Sequence, residues 1–333
     1  MPINVLGIES SCDETAAAVV CDGREILSNV IATQVPWHQA YGGVVPEIAS
    51  RKHLEFIVPV IRRALDEAKL TLADIDVVAV TYGPGLVGGL LVGLSAAKAL
   101  AYSRQLPLVG VNHIEGHIYA NFLAHPELTA PLVCLTVSGG HTTLLSIKEL
   151  GSYEIIGQTR DDAAGEAFDK ISRVLGLGYP GGPAIERAAK EGNRKAFTFP
   201  KALHDELDFS FSGLKTSVIN LVHNSSQKGE ELSVADLAAS FEESVVEVLV
   251  EKTIRAAKTE KVDKVLLSGG VASNQYLRDS LLAACQKEGF ELFYPPKILC
   301  TDNAAMIACT GYYRYLKGNI AKWDLNADPR LGL

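Results

Sequence analysis

The apolar positions along the chain fall into two similar series, and each series predicts three strands followed by alternating helices and strands. The first series has short apolar runs separated by turn residues such as Asp22-Gly23, a pair typical of a hairpin. A long amphipathic run and two further apolar runs follow it. The first series predicts strands over 4–8, 16–21, 25–31, 76–82 and 108–111, and helices over 47–69, from 86 to 100, and after 112.

The second series repeats this order with little identity of sequence. It predicts strands over 131–137, 141–147, 153–158, 264–267 and 292–293, and helices over 163–175, 185–191, 214–223, 234–258, 273–288 and from 302 onward. A repeated order of this kind predicts a duplicated α/β fold, in which each domain is a mixed sheet covered by helices, with a cleft between the domains.

The expected boundaries follow from the position of the repeat. Residues 1–130 form an N-terminal α/β domain, and residues 131–300 form a C-terminal α/β domain. Residues 301–333 are expected to form a C-terminal helix that packs back toward the N-terminal domain. A length of 333 residues agrees with two domains, because one hydrophobic core stops growing at about 250–300 residues.

Composition narrows the class of protein. The apolar fraction of 47% is ordinary for a globular chain, and neither an apolar run of about 18 residues nor a signal segment is present. We therefore expect a cytoplasmic protein with no membrane partner. The six cysteines form no Cys-x-x-Cys pair, which argues against a cysteine zinc site. The net charge of −8 argues against a surface built wholly for nucleic acid.

Two histidines mark the junction between the fifth strand of the first series and the helix after it. His113 and His117 are four residues apart, so their rings lie on one face of a helix, one turn apart. Such a pair can bind a transition metal at a helix N-terminus. The alternative is a capped surface helix that happens to carry two histidines.

The carboxylate in this stretch does not fit the zinc-protease signature. That signature places glutamate directly after the first histidine, whereas Glu115 is two positions on and points about 200° around the helix from His113. We expect a capping box instead, with Asn112 as N-cap and Glu115 at N3.

A third candidate ligand lies far along the chain. Asp302 follows a short apolar segment and begins the predicted last helix. It is either a plain N-cap or the carboxylate of a metal site with two histidines and open positions.

Three glycine-containing loops each follow an apolar strand. They are Ser10 to Thr15, Val137 to Thr142 and Leu267 to Asn274. Glycine lets backbone N–H groups approach a phosphate closely, although none of the loops has the Walker or dinucleotide pattern. Three such loops at strand ends predict phosphate binding.

Two further features belong to the predicted nucleotide site. Gly178 to Pro183 is expected to form a rigid, exposed turn that can lie against a ribose or base. Asp169 is a candidate acceptor for sugar hydroxyls, with a solvated helix carboxylate as the alternative.

Taken together, these motifs resemble the tRNA threonylcarbamoyltransferase family, formerly classified as O-sialoglycoprotein endopeptidases. The resemblance covers nearly the whole chain, in order, and the Ser-Gly-Gly-His form is similar to the bacterial branch. The matching stretches are Gly7 to Thr15, His113 to His117, Val137 to Thr142, Asp161 to Lys170, Gly178 to Pro183 and Ser268 to Asn274.

The resemblance implies a duplicated two-domain actin/Hsp70/sugar-kinase-like fold with a nucleotide and metal cleft between its domains. It implies transfer of threonylcarbamoyl from threonylcarbamoyl-AMP to the N6 amine of the adenosine beside the anticodon, in tRNAs that read codons beginning with A. The implied partners are tRNA, the paralogous subunit TsaB and the ATPase TsaE, which help an acidic chain to bind tRNA.

The resemblance also implies the site residues. The implied cofactors are one divalent metal, Fe²⁺ or alternatively Zn²⁺, bound by His113, His117 and Asp302, and an adenylate or ATP-type ligand in the cleft. Archaeal relatives have a tyrosine ligand where Thr136 stands, so the fourth metal ligand stays open. The implied adenylate-binding set is Thr136, Val137, Ser138, Gly139, Gly140, Asp169, Gly182, Glu186 and Asn274.

The mechanism that we expect is acyl transfer with the phosphate held by glycine-loop amides. Asp13 is the candidate that positions or deprotonates the adenosine amine, with loop hydrogen bonding as the alternative role. Competing functions are a metalloprotease, a small-molecule kinase or ATPase of the same fold, and a nucleotide-gated scaffold without catalysis.

Overall fold

A computed structural model of the chain describes residues 2–333. They divide into two compact units, one formed by residues 2–128 with Pro295–Leu333 and the other by Thr129–Tyr294. Each unit contains one five-stranded sheet. No helix among residues 2–333 is both long and apolar enough to cross a membrane.

The strands, numbered along the chain, belong in turn to the first unit and then to the second. They are β1 Asn4–Glu9, β2 Glu14–Cys21, β3 Glu25–Thr33, β4 Val77–Gly83, β5 Leu108–Asn112, β6 Leu132–Val137, β7 Thr142–Glu149, β8 Ser152–Gln158, β9 Lys264–Ser268 and β10 Glu291–Phe293.

The helices are numbered in the same way, and the last two belong again to the first unit. They are α1 Val35–His38, α2 Pro46–Ala68, α3 Val87–Arg104, α4 His113–Ala124, α5 Ala164–Val174, α6 Gly181–Ala189, α7 Ser212–Lys228, α8 Val234–Glu260, α9 Gln275–Glu288, α10 Lys297–Cys300 and α11 Ala304–Leu316.

The two sheets share one topology, as the sequence predicts. The first has the order β3-β2-β1-β4-β5, and the second has the order β8-β7-β6-β9-β10. In both sheets the first strand pairs antiparallel with the second and parallel with the fourth. The predicted duplication of a mixed α/β sheet is therefore present in the fold.

Helices cover both faces of the first sheet. Leu6 and Ile8 of β1 point into a core that they share with α2 and α3. Gly7, which alternates with them, faces α11 on the other side. Because both faces are covered, β1 and β4 are apolar and buried along nearly their whole length.

Glycine allows α11 to approach β1 at backbone distance. A Cβ atom on Gly7 would lie 2.4 Å from the Ala304 carbonyl oxygen and 2.7 Å from the Ala308 nitrogen. Gly311, farther along α11, is equally close to the sheet, because a Cβ atom there would lie 2.3 Å from the Ala79 Cβ. These contacts are between backbones and short side chains, so neither helix nor strand can relieve them by a rotamer change.

Three predicted element boundaries differ from the structure for identifiable reasons. The helix predicted over 185–191 begins at Gly181, because Pro183 in the first turn needs no hydrogen bond to its nitrogen. The exposed turn predicted over 178–183 is therefore partly helical. The helix predicted over 214–223 continues to Lys228, where Gly229 ends it in a left-handed conformation.

We predict that Gly7→Ala destabilises the first unit by about 1–3 kcal/mol, because the added methyl group overlaps the backbone of α11. Gly213→Ala is the matched control. It lies in α7 with no atom within 4 Å of an added Cβ, and alanine favours a helix. The measurement is denaturant unfolding of each variant. Equal midpoints for Gly7→Ala and the unmodified chain would contradict the close approach of α11 to β1.

Candidate metal centre and nucleotide loops

The two histidines are placed by the start of α4. The Asn112 side-chain oxygen accepts hydrogen bonds from the backbone nitrogens of Ile114 (2.8 Å) and Glu115 (3.3 Å). Asn112 is thus the N-cap, and His113 is the first residue of the helix. The helix is buried along nearly its whole length, so the alternative of a surface helix is wrong.

Glu115, the second member of the expected capping box, has a partner on another helix. The carboxylate of Glu115 makes an ion pair with Arg314 of α11, at 2.7 Å. A guanidinium is a stronger partner for a buried carboxylate than a backbone N–H group. The ion pair shows that Glu115 points toward α11. This agrees with the expectation that it lies on a different side of the helix from His113.

Asp302 is not a helix cap, because the cap is its neighbour. The Asn303 side-chain oxygen accepts from the Met306 nitrogen at 3.0 Å, and α11 begins at Ala304. The carboxylate of Asp302 faces both histidines instead. Its Oδ1 atom lies 3.4 Å from Nε2 of His113 and 3.2 Å from Nε2 of His117.

The donor atoms of these three residues fit a metal ion. The ligand atoms of His113, His117 and Asp302 all lie within 4.8 Å of one another. His117 is 1% exposed, its Nδ1 has no hydrogen-bond partner, and its Nε2, although 3.2 Å from Oδ1 of Asp302, makes no well-aligned hydrogen bond. A buried polar atom without a partner costs about 1–3 kcal/mol, and a metal ion bound at Nε2 would remove that cost. Two imidazoles and one carboxylate suit Fe²⁺ or Zn²⁺.

Glu9 belongs to this cluster, although the sequence reasoning gave it no role. It is fully buried at the end of β1, and its Oε2 atom lies 3.1 Å from Nδ1 of His113. Because an ionised carboxylate only accepts, Nδ1 of His113 carries the proton, and Nε2 faces Asp302. The Ser11 hydroxyl lies 3.1 Å from the same Nδ1.

The carboxylate of Glu9 is held by donors from two other segments. Its oxygens accept from the Ser11 backbone nitrogen at 2.5 Å and from the Thr81 hydroxyl at 2.6 Å. These bonds fix the carboxylate, and the carboxylate fixes the ring of His113. Outer residues of this kind orient metal ligands and raise their basicity. A single acidic residue at the end of an apolar strand was the available signal.

The charges of the site reinforce one another. Burial disfavours the ionised form of Asp302, yet His113 and His117 hold its pKa far below its ordinary value. Burial also disfavours charge on His113, but Asp302 and Glu9 raise the pKa of His113 well above its ordinary value. Two carboxylates around one imidazole therefore demand a positive charge, which a proton or a metal ion can supply.

The first glycine loop adds two carboxyl groups. Asp13 is 8% exposed, and its backbone oxygen accepts from the Gln34 nitrogen at 2.9 Å. Burial, the charge of Asp13 and a hydrogen bond to Asp13 raise the pKa of Glu14 well above its ordinary value. The environment of this loop therefore disfavours a second negative charge beside Asp13. The sequence reasoning gave Glu14 no role.

The second glycine loop opens at the end of β6 in the second unit. Thr136 and Val137 are fully buried in the strand, and the Thr136 hydroxyl is bonded to the Ser268 hydroxyl at 2.8 Å. Gly139 and Gly140 are exposed, and no atom lies within 4 Å of a Cβ built on either. The loop is therefore open to a ligand at its glycines. The side chain of Thr136 points to a neighbouring strand.

Ser138 stabilises this loop from within. Its hydroxyl oxygen accepts from the His141 nitrogen at 3.2 Å, and its carbonyl oxygen accepts from the Gly165 nitrogen at 3.3 Å. Gly165 is required at this contact, because a Cβ there would lie 2.5 Å from the Ser138 carbonyl oxygen. The loop thus rests on the start of α5.

Asp169, Gly182 and Glu186 lie around the start of α6. An oxygen of Asp169 accepts from the Gly181 nitrogen at 2.7 Å, and Gly182 borders open space. An oxygen of Glu186 accepts from the Gln275 nitrogen at 3.3 Å, which links α6 to the first turn of α9.

Asn274 has a structural role that the sequence reasoning missed. Its side-chain oxygen caps α9 by accepting from the Leu277 nitrogen at 2.8 Å. Its side-chain nitrogen donates to the buried carboxylate of Glu242 at 2.7 Å, and Glu242 also accepts from Arg194 at 2.8 Å. The Asn274 amide is therefore engaged at both ends by the protein.

Comparison with known proteins identifies near relatives over the full length. A family model described as tRNA N6-adenosine threonylcarbamoyltransferase (TsaD) matches residues 25–309. A protein of that name from Clostridium botulinum (strain Kyoto / Type A2) is 58% identical over 333 residues, covering 99% of this chain and 98% of the relative. Another from Clostridium perfringens (strain SM101 / Type A) is 59% identical over 331 residues, with the same coverage of both chains.

Solved structures with low identity share the fold. Component A of (R)-2-hydroxyglutaryl-CoA dehydratase from Acidaminococcus fermentans has a TM-score of 0.55 at 15% identity, covering 94% of this chain and 99% of that one. HypF from T. kodakarensis has a TM-score of 0.63 at 16% identity, covering 98% of this chain and 50% of that one. The predicted actin/Hsp70/sugar-kinase-like fold class is confirmed.

We predict that Glu9→Gln weakens Zn²⁺ binding by about 10–100-fold, because the amide keeps the shape of Glu9 but loses the charge that orients and strengthens His113. Zn²⁺ affinity is measured by competition with a chelator of known affinity. Glu67→Gln, on the exposed face of α2, is the control. Unchanged affinity in Glu9→Gln would show that the carboxylate does not support a metal ligand.

Proposed function

The chain belongs to the tRNA N6-adenosine threonylcarbamoyltransferase family, and we propose that it forms N6-threonylcarbamoyladenosine at adenosine 37 of tRNAs that read codons beginning with A. The donor that we propose is threonylcarbamoyl-AMP. The observation that carries the proposal is the convergence of His113, His117 and Asp302 in a chain that is 58% identical to named transferases from end to end.

The competing functions have less support. A metalloprotease needs a general base beside the bound water, and Glu115 is paired with Arg314 instead. A small-molecule kinase or ATPase is supported by nothing beyond the shared fold, since the distant structural relatives show the fold alone. Such enzymes commonly use Mg²⁺, which prefers oxygen ligands to a pair of imidazoles.

We propose one divalent metal, with Fe²⁺ as the first candidate and Zn²⁺ as the alternative. His113, His117 and Asp302 would bind it, and Glu9 would hold His113 in the required tautomer. A bound metal of this type acts as a Lewis acid and stabilises negative charge that develops on oxygen during acyl transfer. The protein contributes two buried imidazoles and carboxylates whose negative charge favours a cation.

The adenylate part of the donor is assigned to the second unit. Backbone N–H groups of Ser138, Gly139 and Gly140 are the proposed phosphate contacts, since the loop is exposed and open there. Asp169 and Glu186 are the proposed acceptors for ribose hydroxyls, and Gly182 offers an open surface beside them. Thr136, Val137 and Asn274 would support these segments through the bonds that fix them.

The proposed reaction joins the adenosine N6 atom to the carbamoyl carbon. The bond between that carbon and the phosphate oxygen breaks, AMP leaves with the electron pair, and the amine loses one proton. Asp13 is the proposed acceptor of that proton, or the group that positions the amine. Burial and the charge of Asp13 raise the pKa of its neighbour Glu14, so the loop favours a single carboxylate charge.

The substrate and partners follow from the same proposal. tRNA is a polyanion, and a chain of net charge −8 gains little from general electrostatic attraction to it. We propose that TsaB and TsaE supply part of the tRNA-binding surface or the energy for turnover. A tRNA substrate also makes the cytoplasm the proposed compartment.

We predict that His117→Ala lowers threonylcarbamoyl transfer to tRNA by about a hundredfold or more, because the metal loses a ligand that no other residue replaces. The assay uses the complex with its partners and threonylcarbamoyl-AMP, and it measures labelled threonine incorporated into tRNA. His125→Ala, just beyond the other end of the same helix, is the control. A phosphorylated product, or full activity in His117→Ala, would contradict the proposal.

We predict that Asp13→Asn slows transfer in a single turnover by about 10²–10⁴-fold with little change in donor affinity, as expected for a lost general base. Single-turnover measurement with bound donor separates chemistry from product release. Asp324→Asn, an exposed position, is the control. An unchanged rate would remove Asp13 from the chemistry and leave it the role of a loop acceptor.

A further inference from the structure

The last residues of the chain run beside the strands that lead to the histidine helix. The Ala321 nitrogen donates to the Leu108 carbonyl oxygen at 2.7 Å, where β5 begins. The Asp328 nitrogen donates to the Tyr82 carbonyl oxygen at 2.8 Å, near the end of β4. The segment thus follows the sheet toward the metal centre. We call residues 328–332 the terminal segment.

The first contact of the terminal segment is with the N-cap of α4. The Asn112 side-chain nitrogen donates to the Gly332 carbonyl oxygen at 2.9 Å. The oxygen of the same amide group accepts from Ile114 and Glu115. An amide that is bonded at both ends has one orientation, so the contact with Gly332 fixes the oxygen that caps the helix. His113 is the next residue.

The second contact reaches the other side of His113. The Pro329 carbonyl oxygen accepts from the Gly85 nitrogen at 3.3 Å, and the next residue, Leu86, donates from its nitrogen to the Ser11 carbonyl oxygen at 2.7 Å. Ser11 in turn contacts Nδ1 of His113 through its hydroxyl. The terminal segment therefore supports a loop that supports the outer partners of the metal ligand.

The approach at this point is too close for a side chain. A Cβ atom on Gly83 would lie 2.0 Å from the Asp328 carbonyl oxygen. The segment is held in shape by its own turn, in which the Leu331 nitrogen donates to the Asp328 carbonyl oxygen at 3.2 Å and the Arg330 nitrogen donates to the Asp328 side chain at 3.0 Å. Its side chains are mostly exposed, so its contacts with the sheet are made chiefly by backbone.

We propose that the terminal segment is a positioning element of the metal centre, which orients the Asn112 cap and the Gly85 loop and thereby holds His113 in its ligating position. This role rests on the proposed metal site. In this role, an exposed segment that is distant in sequence from the histidines stabilises the geometry of a site within the fold.

The test compares the full chain with a variant that lacks residues 328–333, with Asn112→Asp, and with the combination of the two. Aspartate keeps the capping oxygen but cannot donate to Gly332. Its negative charge would by itself favour a cation, so weaker metal binding in Asn112→Asp reports the lost contact. Lys322→Ala, an exposed position before the terminal segment, is the control.

Two measurements are made on each protein. In metal-free protein, we expect the deletion to speed amide hydrogen exchange at Ile114 and Glu115 by about threefold to tenfold, as for the loss of one hydrogen bond. With Zn²⁺ as the probe, we expect the dissociation constant to rise by about tenfold. The absorption bands of bound Co²⁺ should shift, which general destabilisation would not cause.

The combined variant decides whether the two changes act through one contact. We expect it to bind Zn²⁺ more tightly than the sum of the two single effects predicts, because the shared contact is lost only once. The proposal would be overturned if the effects of the two changes on Zn²⁺ affinity were fully additive, or if amide exchange at Ile114 and Glu115 were unchanged. It would also be overturned if the deletion variant bound Zn²⁺ within about twofold of the full chain. A full chain that binds neither Zn²⁺ nor Co²⁺ would overturn the metal centre, and this role with it.

Discussion

One buried and one partly buried carboxylate, on either side of one imidazole, set the main electrostatic requirement of the first unit. Glu9 approaches Nδ1 of His113, and Asp302 approaches Nε2 of the same ring. Ionised groups taken out of water are costly unless they are paired and hydrogen-bonded. Glu9 meets this requirement through donors from Ser11 and Thr81. Asp302 depends on the histidines and on whatever cation they bind, so folding of this region and metal binding are expected to be coupled.

The backbone makes this arrangement possible through close packing of α11 on β1. Glycine at position 7 lets the helix approach at backbone distance, and Asp302 lies two residues before that helix. Glu9 lies two residues after Gly7 on the strand. A bulkier residue at position 7 would therefore move one carboxylate relative to the other, and both carboxylates meet at His113. The same close contact thus serves the core and the site.

The pattern of apolar and polar residues was sufficient to predict the fold and to identify the two histidines as candidate metal ligands, because both depend on spacing along the chain. Strand and helix periods gave the two repeated series, and a spacing of four residues placed His113 and His117 on one face. Residues whose partners are distant in sequence were not accessible in this way. Glu9 depends on Thr81 and His113, and Glu115 turns to Arg314 rather than to its own helix.

Neighbouring residues of similar propensity posed a different difficulty. Asp302 and Asn303 are equally good helix caps, and no pattern decides between them. The structure assigns the cap to Asn303, and only then is the aspartate available to the histidines. Asn274 shows the opposite case, because a residue expected to contact ligand is already engaged as a cap and as a donor to Glu242.

The duplicated topology supports two different binding chemistries because its strand ends differ in charge. The first strand of the first unit ends in Glu9, and the loop after it adds Asp13 and Glu14. The equivalent strand of the second unit ends in Val137, after a threonine bonded to a serine, and continues into an exposed pair of glycines. Carboxylates favour a cation, whereas open backbone N–H groups favour an anion such as phosphate. One fold, repeated, thus presents carboxylates at one strand end and open backbone N–H groups at the equivalent one, in agreement with the proposed metal and phosphate sites.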